Sequence, residues 1–126
     1  MIVLDTSVLI ESLAGSKTSA SRNKLRQKIS DGERILLPSL VLYEWLRGPR
    51  HTDEISAQEA LFPSEHAIQY GVREAELSAR IYKAVSRPRG REIDIAIAAC
   101  AIVRDAALWT LNSADFTDIP KLRLED

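Results

Sequence analysis

Apolar and polar positions fall into short blocks along this chain. Ile2, Val3 and Leu4 form a run with two β-branched members, the pattern of a strand covered on both faces in a parallel sheet. Val8, Leu9, Ser12 and Leu13 then keep helical spacing as far as Gly15. In "SKTSASRNKLRQKISDG" a polar connection leads into a second helix with Leu25 and Ile29 turned inward. "RILLP", Arg34 to Pro38, predicts another short strand, and Ser39 stands where it can cap the helix "LVLYEWLRG", which Pro49 stops. Amphipathic helices are predicted over Thr52 to Leu61 and Val72 to Val85, with "HAIQYG" between them ambiguous. After the loop "SRPRGRE", "IDIAIAACAIV" is apolar on nearly every face and is therefore an internal helix. "AALWTL" reads as a strand, and "LRLE" alternates as a last one. Strands separated by helices predict an α/β fold, a three-layer α/β/α sandwich with a mainly parallel sheet.

Length and composition fit one domain. The chain has 126 residues, 45% of them hydrophobic, with no repeat, linker or low-complexity tract, so a single domain over residues 1–126 is expected. Its 17 basic and 18 acidic residues leave a net charge of −1, and no overall field draws it to a polyanion. Any such contact must be local. Cys100, the only cysteine, excludes an intramolecular disulfide and reads as a small core residue. No apolar run reaches the roughly 20 residues needed to span a bilayer and no signal segment opens the chain, so a soluble, cytoplasmic protein without membrane contact is expected.

Three carboxylates stand where a core should be. Asp5 directly follows the first apolar run, at the carboxyl end of a strand, the edge at which open α/β sheets bind ligands. Taken alone, N-capping of the next helix is the better reading of Asp5. Glu44 lies inside "VLYEWL", between Tyr43 and Trp45, and either faces solvent, pairs with Arg47, or needs a partner to offset desolvation. Asp94 is the only charged residue from Ile93 to Val103, either a first-turn acid favoured by the helix dipole or a ligand. One shared site accounts for all three better than three separate capping roles. Clustered carboxylates repel unless a cation neutralises them, and their hard oxygens select Mg²⁺, or Mn²⁺ in its place, over zinc. Such a site suits hydrolysis of phosphodiesters.

"MIVLDTSVLI", "VLYEWLRG", "EIDIAIAACA" and "LWTLNSADFTDIPKLRLED" occur in the order found in PIN-domain ribonucleases, and the chain resembles the VapC-type toxins of bacterial toxin–antitoxin pairs along nearly its whole length. The resemblance implies a metal-dependent endoribonuclease, usually a homodimer, held by a cognate antitoxin. Asp5, Glu44 and Asp94 match the family's acidic triad, with Mg²⁺ held chiefly by Asp5 and Asp94, Glu44 orienting or deprotonating water, and Thr6 in support. The family often has a further acid after the last strand. Here Asn112 and Asp115 compete for that position: Asn112 lies nearer the strand end, whereas Asp115 is charged and is the expected fourth residue.

Two basic clusters offer local contacts to RNA. Arg22, Lys24, Arg26 and Lys28 surround the Leu25/Ile29 stripe and read first as a solvated helix face, while Arg87, Arg89 and Arg91 crowd the loop just before Asp94 and are candidate phosphate contacts. His51 and His66 carry no catalytic signature. The alternatives are a housekeeping RNA-processing nuclease of the same fold without an antitoxin, and a non-catalytic RNA-binding or regulatory domain. Retention of all three acids argues against the second. Tyr43 and Trp45 beside Glu44 are expected to serve as aromatic anchors for a partner.

Overall fold

Strand β1 (Ile2–Leu4) is buried on both faces, as its unbroken apolar run requires. The structure is a computed structural model that describes all residues from Met1 to Asp126. From β1 the chain enters α1 (Thr6–Ala14) and α2 (Ala20–Ser30), and then β2 (Ile35–Leu36). It continues through α3 (Ser39–Arg47), α4 (Thr52–Leu61), a 3₁₀ turn at Ser64–His66, α5 (Val72–Ala84) and α6 (Glu92–Val103). Strand β3 (Ala107–Trp109) and a second 3₁₀ turn at Ser113–Phe116 precede the last segment.

The sheet is parallel with order β2-β1-β3. Its register sets Val3 beside Leu36, and Leu4 beside Trp109. The connection from β1 to β2 runs one way along the sheet and that from β2 to β3 runs back, so right-handed crossovers put α1 and α2 on one face and bring the chain back over the other with α5 and α6. The expected three-layer sandwich results. Helix α1 packs on α2, α3 and α4, whereas α6 packs on α5, β1 and β3, and α3 touches both groups. Residues Ile95 to Ala101 of α6 are all buried, which explains why that helix has no polar face.

Local departures from the pattern have identifiable causes. Ser39 does not cap α3: it is the first helical residue, Pro38 holds the cap position, and the Ser39 N–H donates to the Ile68 carbonyl at 2.8 Å. The ambiguous "HAIQYG" stretch supplies that acceptor through a single parallel bridge between Ile68 and Pro38. Similarly, "LRLE" reduces to one bridge, Leu108 to Leu124. Leu25 is buried as expected, but Ile29 is 41% exposed, lining an open cleft with Leu13, Ala57 and Leu61. Trp45 is fully buried and cannot anchor a partner, leaving Tyr43 exposed on the outer face of α3. Cys100 is a core residue, its thiol pushed up to about 11 by burial. No helix is long and apolar enough to cross a membrane.

Candidate active site

Asp5 is the most fully held acid of the site because the sheet register builds its surroundings. It follows β1 just as Thr110 follows β3, and the pairing of Leu4 with Trp109 brings the two side by side. The Asp5 N–H continues the ladder to the Trp109 carbonyl at 2.9 Å. Asp5 does occupy the N-cap position of α1, but its side chain makes no capping bond. Instead its Oδ2 accepts the Thr110 hydroxyl at 2.7 Å and the Ser7 hydroxyl at 3.1 Å. Ser7 Oγ in turn accepts the Leu111 N–H at 3.1 Å, and Thr110 Oγ1 accepts the Asn112 N–H at 3.0 Å. Asp5 is only 4% exposed, yet its Oδ1 makes no hydrogen bond and is not sealed from solvent. Oδ1 therefore faces the open side of the site.

Glu44 projects from the middle of α3 and is half-buried. Thr6, the first residue of α1, donates its hydroxyl to Glu44 Oε1 at 2.6 Å, and Arg47 approaches Oε2 at 3.4 Å, one turn along the same helix. Thus α1 supplies hydroxyls to two acids on different elements: Thr6 to Glu44 and Ser7 to Asp5. Consecutive residues in the first turn of a helix point in different directions, so "DTS" can serve both partners at once.

Asp94 lies in the first turn of α6, where the helix dipole favours a negative charge. Its pKa is nevertheless raised from 3.8 to about 6, first by burial and then by the fields of Asp5, Glu44 and Asp115, with Arg91 opposing. Asp94 on α6 therefore lies within reach of acids that follow β1, project from α3 and sit in the turn after β3. They have not closed into a ligand cage: no three donor side chains of the His, Cys, Asp and Glu type converge to that extent. Asp115 lies exposed within the Ser113–Phe116 turn, which buried Phe116 pins to the core. Asn112 is also exposed, at the cap of that turn.

The arginines divide. Arg87 and Arg89 are exposed, whereas Arg91 pairs with Asp118 through Nη2 at 2.6 Å. In the other basic cluster, Arg22 donates to the Ser12 carbonyl at 2.7 Å, Lys24 lies 4.8 Å from the Trp109 ring centre, and Lys28 pairs with Glu125. Those three serve the packing of α2, which leaves Arg26 exposed. Residues 2–122 match the model of the PIN domain. The chain belongs to the PIN-domain family.

Within that family, this PIN domain is similar to ribonuclease VapC19 of Mycobacterium tuberculosis, at 35% identity over 131 aligned positions that cover 98% of each chain. Its fold is shared with a DNA-bound VapBC from Salmonella typhimurium (TM-score 0.75, 22% identity, 99% of this chain and 96% of that one). It is shared also with VapBC2 of Rickettsia felis bound to a promoter DNA fragment (TM-score 0.72, 20% identity, 99% and 98% covered). Two residues of the site are not singled out by sequence reasoning, Thr110 and Ser7. Their signal is weak: each is a hydroxyl within a few positions of a predicted strand end.

Proposed function

We propose that this PIN domain is a divalent-metal-dependent endoribonuclease and the toxin of a toxin–antitoxin pair, acting as one nuclease domain over the whole chain. The observation that carries this reading is the placement of half-buried Asp94 in the fields of Asp5, Glu44 and Asp115, which with burial raises its pKa to about 6. Carboxylates gathered at the carboxyl edge of a parallel sheet are destabilising unless a cation joins them. The donors are all hard oxygens, which fits Mg²⁺ or Mn²⁺. The free oxygen of Asp5 and the carboxylate of Asp94 would hold the ion. When bound, such an ion polarises a phosphoryl oxygen and lowers the pKa of a coordinated water.

The chain's own groups divide the remaining work. Thr110 and Ser7 take up one oxygen of Asp5, so that carboxylate presents its other oxygen in a single orientation. Glu44, aimed by Thr6, is the base that orients an attacking water and receives its proton. Asp115 is the fourth acid, in preference to Asn112 at the head of the same turn. Arg87 and Arg89 provide phosphate contacts close to Asp94. Attack by water leaves a 5′-phosphate and a 3′-hydroxyl, and the ribose 2′-OH takes no part.

The 35% identity to ribonuclease VapC19 supports RNA as the substrate. VapBC complexes among proteins of this fold support an antitoxin partner. Tyr43 and Leu46, both about half exposed on α3, favour a homodimer through that face. Purified protein incubated with total RNA should produce 5′-phosphorylated fragments with Mg²⁺ or Mn²⁺ and none with EDTA. Cleavage that survives chelation would defeat the metal mechanism, and a wild type that leaves cell growth unaffected on overexpression would remove the toxin assignment.

A further inference from the structure

Arg91 is a candidate phosphate contact on sequence grounds, but both terminal nitrogens of its guanidinium are engaged within the chain. Nη2 and Nη1 donate to the two carboxylate oxygens of Asp118, at 2.6 and 3.0 Å, in a side-by-side fork. Nη2 also donates to the Asp115 carbonyl at 2.8 Å, and Nη1 to the Ser86 carbonyl at 3.2 Å. Arg91 is itself the cap residue of α6, three positions before Asp94. One planar group therefore joins the loop preceding α6, the first turn of α6, and the turn that carries Asp115. A lysine could not do this, because a point-like ammonium lacks the rigid fork that meets a carboxylate and two carbonyls at once.

We propose that Arg91 is a positioning residue, a latch that holds the Asp115 turn against the N-terminal end of α6 and so sets where the Asp115 carboxylate stands relative to Asp94. The inference rests on the metal-site reading above for its consequence, though the latch itself is a matter of structure. Apart from Arg91, the segment is tied down mainly by the Asn112 N–H to Thr110 bond and by buried Phe116 and Ile119. None of these reaches the Asp118 carboxylate, which only Arg91 holds. The Arg91–Asp118 attraction is mutual: Asp118 is drawn below the usual carboxylate range by the guanidinium hydrogen bond, and Arg91 is raised by the same bond. Arg87 and Arg89, exposed in the same loop, are left to meet phosphate.

The full-length chain carrying Arg91→Ala, Arg91→Lys or Asp118→Ala tests the latch by three measurements. In Arg91→Ala, amide hydrogen exchange over residues 112–119 should rise roughly tenfold while β1 and α1 keep wild-type protection. Mn²⁺ affinity by calorimetry should fall about tenfold, the usual cost of losing a group that orients a ligand. Binding of a mixed-sequence single-stranded RNA oligonucleotide in EDTA should stay within about twofold, since the latch meets no phosphate. Arg91→Lys should fail to rescue exchange or affinity. Asp118→Ala should reproduce part of both losses, and adding it to Arg91→Ala should cost nothing more. Unchanged exchange over 112–119, full rescue by lysine, or a loss confined to RNA binding would each overturn the proposal. A wild type that binds no Mn²⁺ would defeat the metal-site reading instead, and the exchange result alone would then decide the latch.

Discussion

Replacing Asp94 with asparagine should make the protein more stable in EDTA at neutral pH while removing its activity. The carboxylate titrates near 6 in the folded chain against an ordinary 3.8, and none of the influences on it is a hydrogen bond, so asparagine loses no accepted bond. The folded state thus holds a proton between those values that the unfolded chain has already released. Stability attached to this group is fully present below pH 3.8 and is lost as pH rises through about 6. At about 1.4 kcal/mol per tenfold change in proton affinity, the whole difference corresponds to about 3 kcal/mol of strain at pH 7. Asp94 is only half-buried, and solvent screening reduces this to about 1–2 kcal/mol, or about 4–8 °C in Tm for a chain of this length. Urea or thermal unfolding of both proteins in EDTA, from pH 4 to pH 7, measures it. The gain should be largest at pH 7 and mostly gone by pH 4. An asparagine variant less stable than wild type at pH 7, or a gain equal at both ends, would refute the electrostatic account of the site.

Thr110→Val keeps the shape of a buried β-branched residue but removes the stronger of two hydroxyls on Asp5, and should weaken Mn²⁺ binding about tenfold by calorimetry at a stability cost of about 1 kcal/mol. Glu44→Gln should leave Mn²⁺ affinity within a few-fold yet reduce cleavage by about a hundredfold or more, since an amide cannot accept the proton; equal losses in both would assign Glu44 to the metal rather than to the water. Asp115→Ala should weaken Mn²⁺ binding and slow cleavage while Asn112→Ala does little, and the reverse pattern would move the fourth position to Asn112.

Legibility in the sequence follows the range of the interaction concerned. The first strand and α6 are readable because an unbroken apolar run fits few places in a fold, and a single charge in such a run stands out. Asp5 and Asp94 are legible for that reason. Thr110 and Ser7 are not, because hydroxyls near strand ends are common and their meaning depends on the pairing of Leu4 with Trp109, which no local pattern encodes. Ile29 fails for a related reason: helical periodicity identifies an apolar stripe but not how far a neighbour covers it. The arginine cluster before Asp94 is visible as charge. That Arg91 differs from Arg87 and Arg89 depends on Asp118, 27 residues away.

Thr110 reaches Asp5 across 105 positions of chain, and that span has a consequence for synthesis. A growing polypeptide that has passed Asp5, Glu44 and Asp94 already contains three acids, but Asp5 lacks its Thr110 hydroxyl until β3 docks beside β1. The earliest acid of the site is thus oriented by a strand made after both Glu44 and Asp94. Long-range closure of this kind is slow compared with helix formation, so a cutting centre emerges only with the finished fold. A chain truncated before β3 should therefore be inert toward RNA.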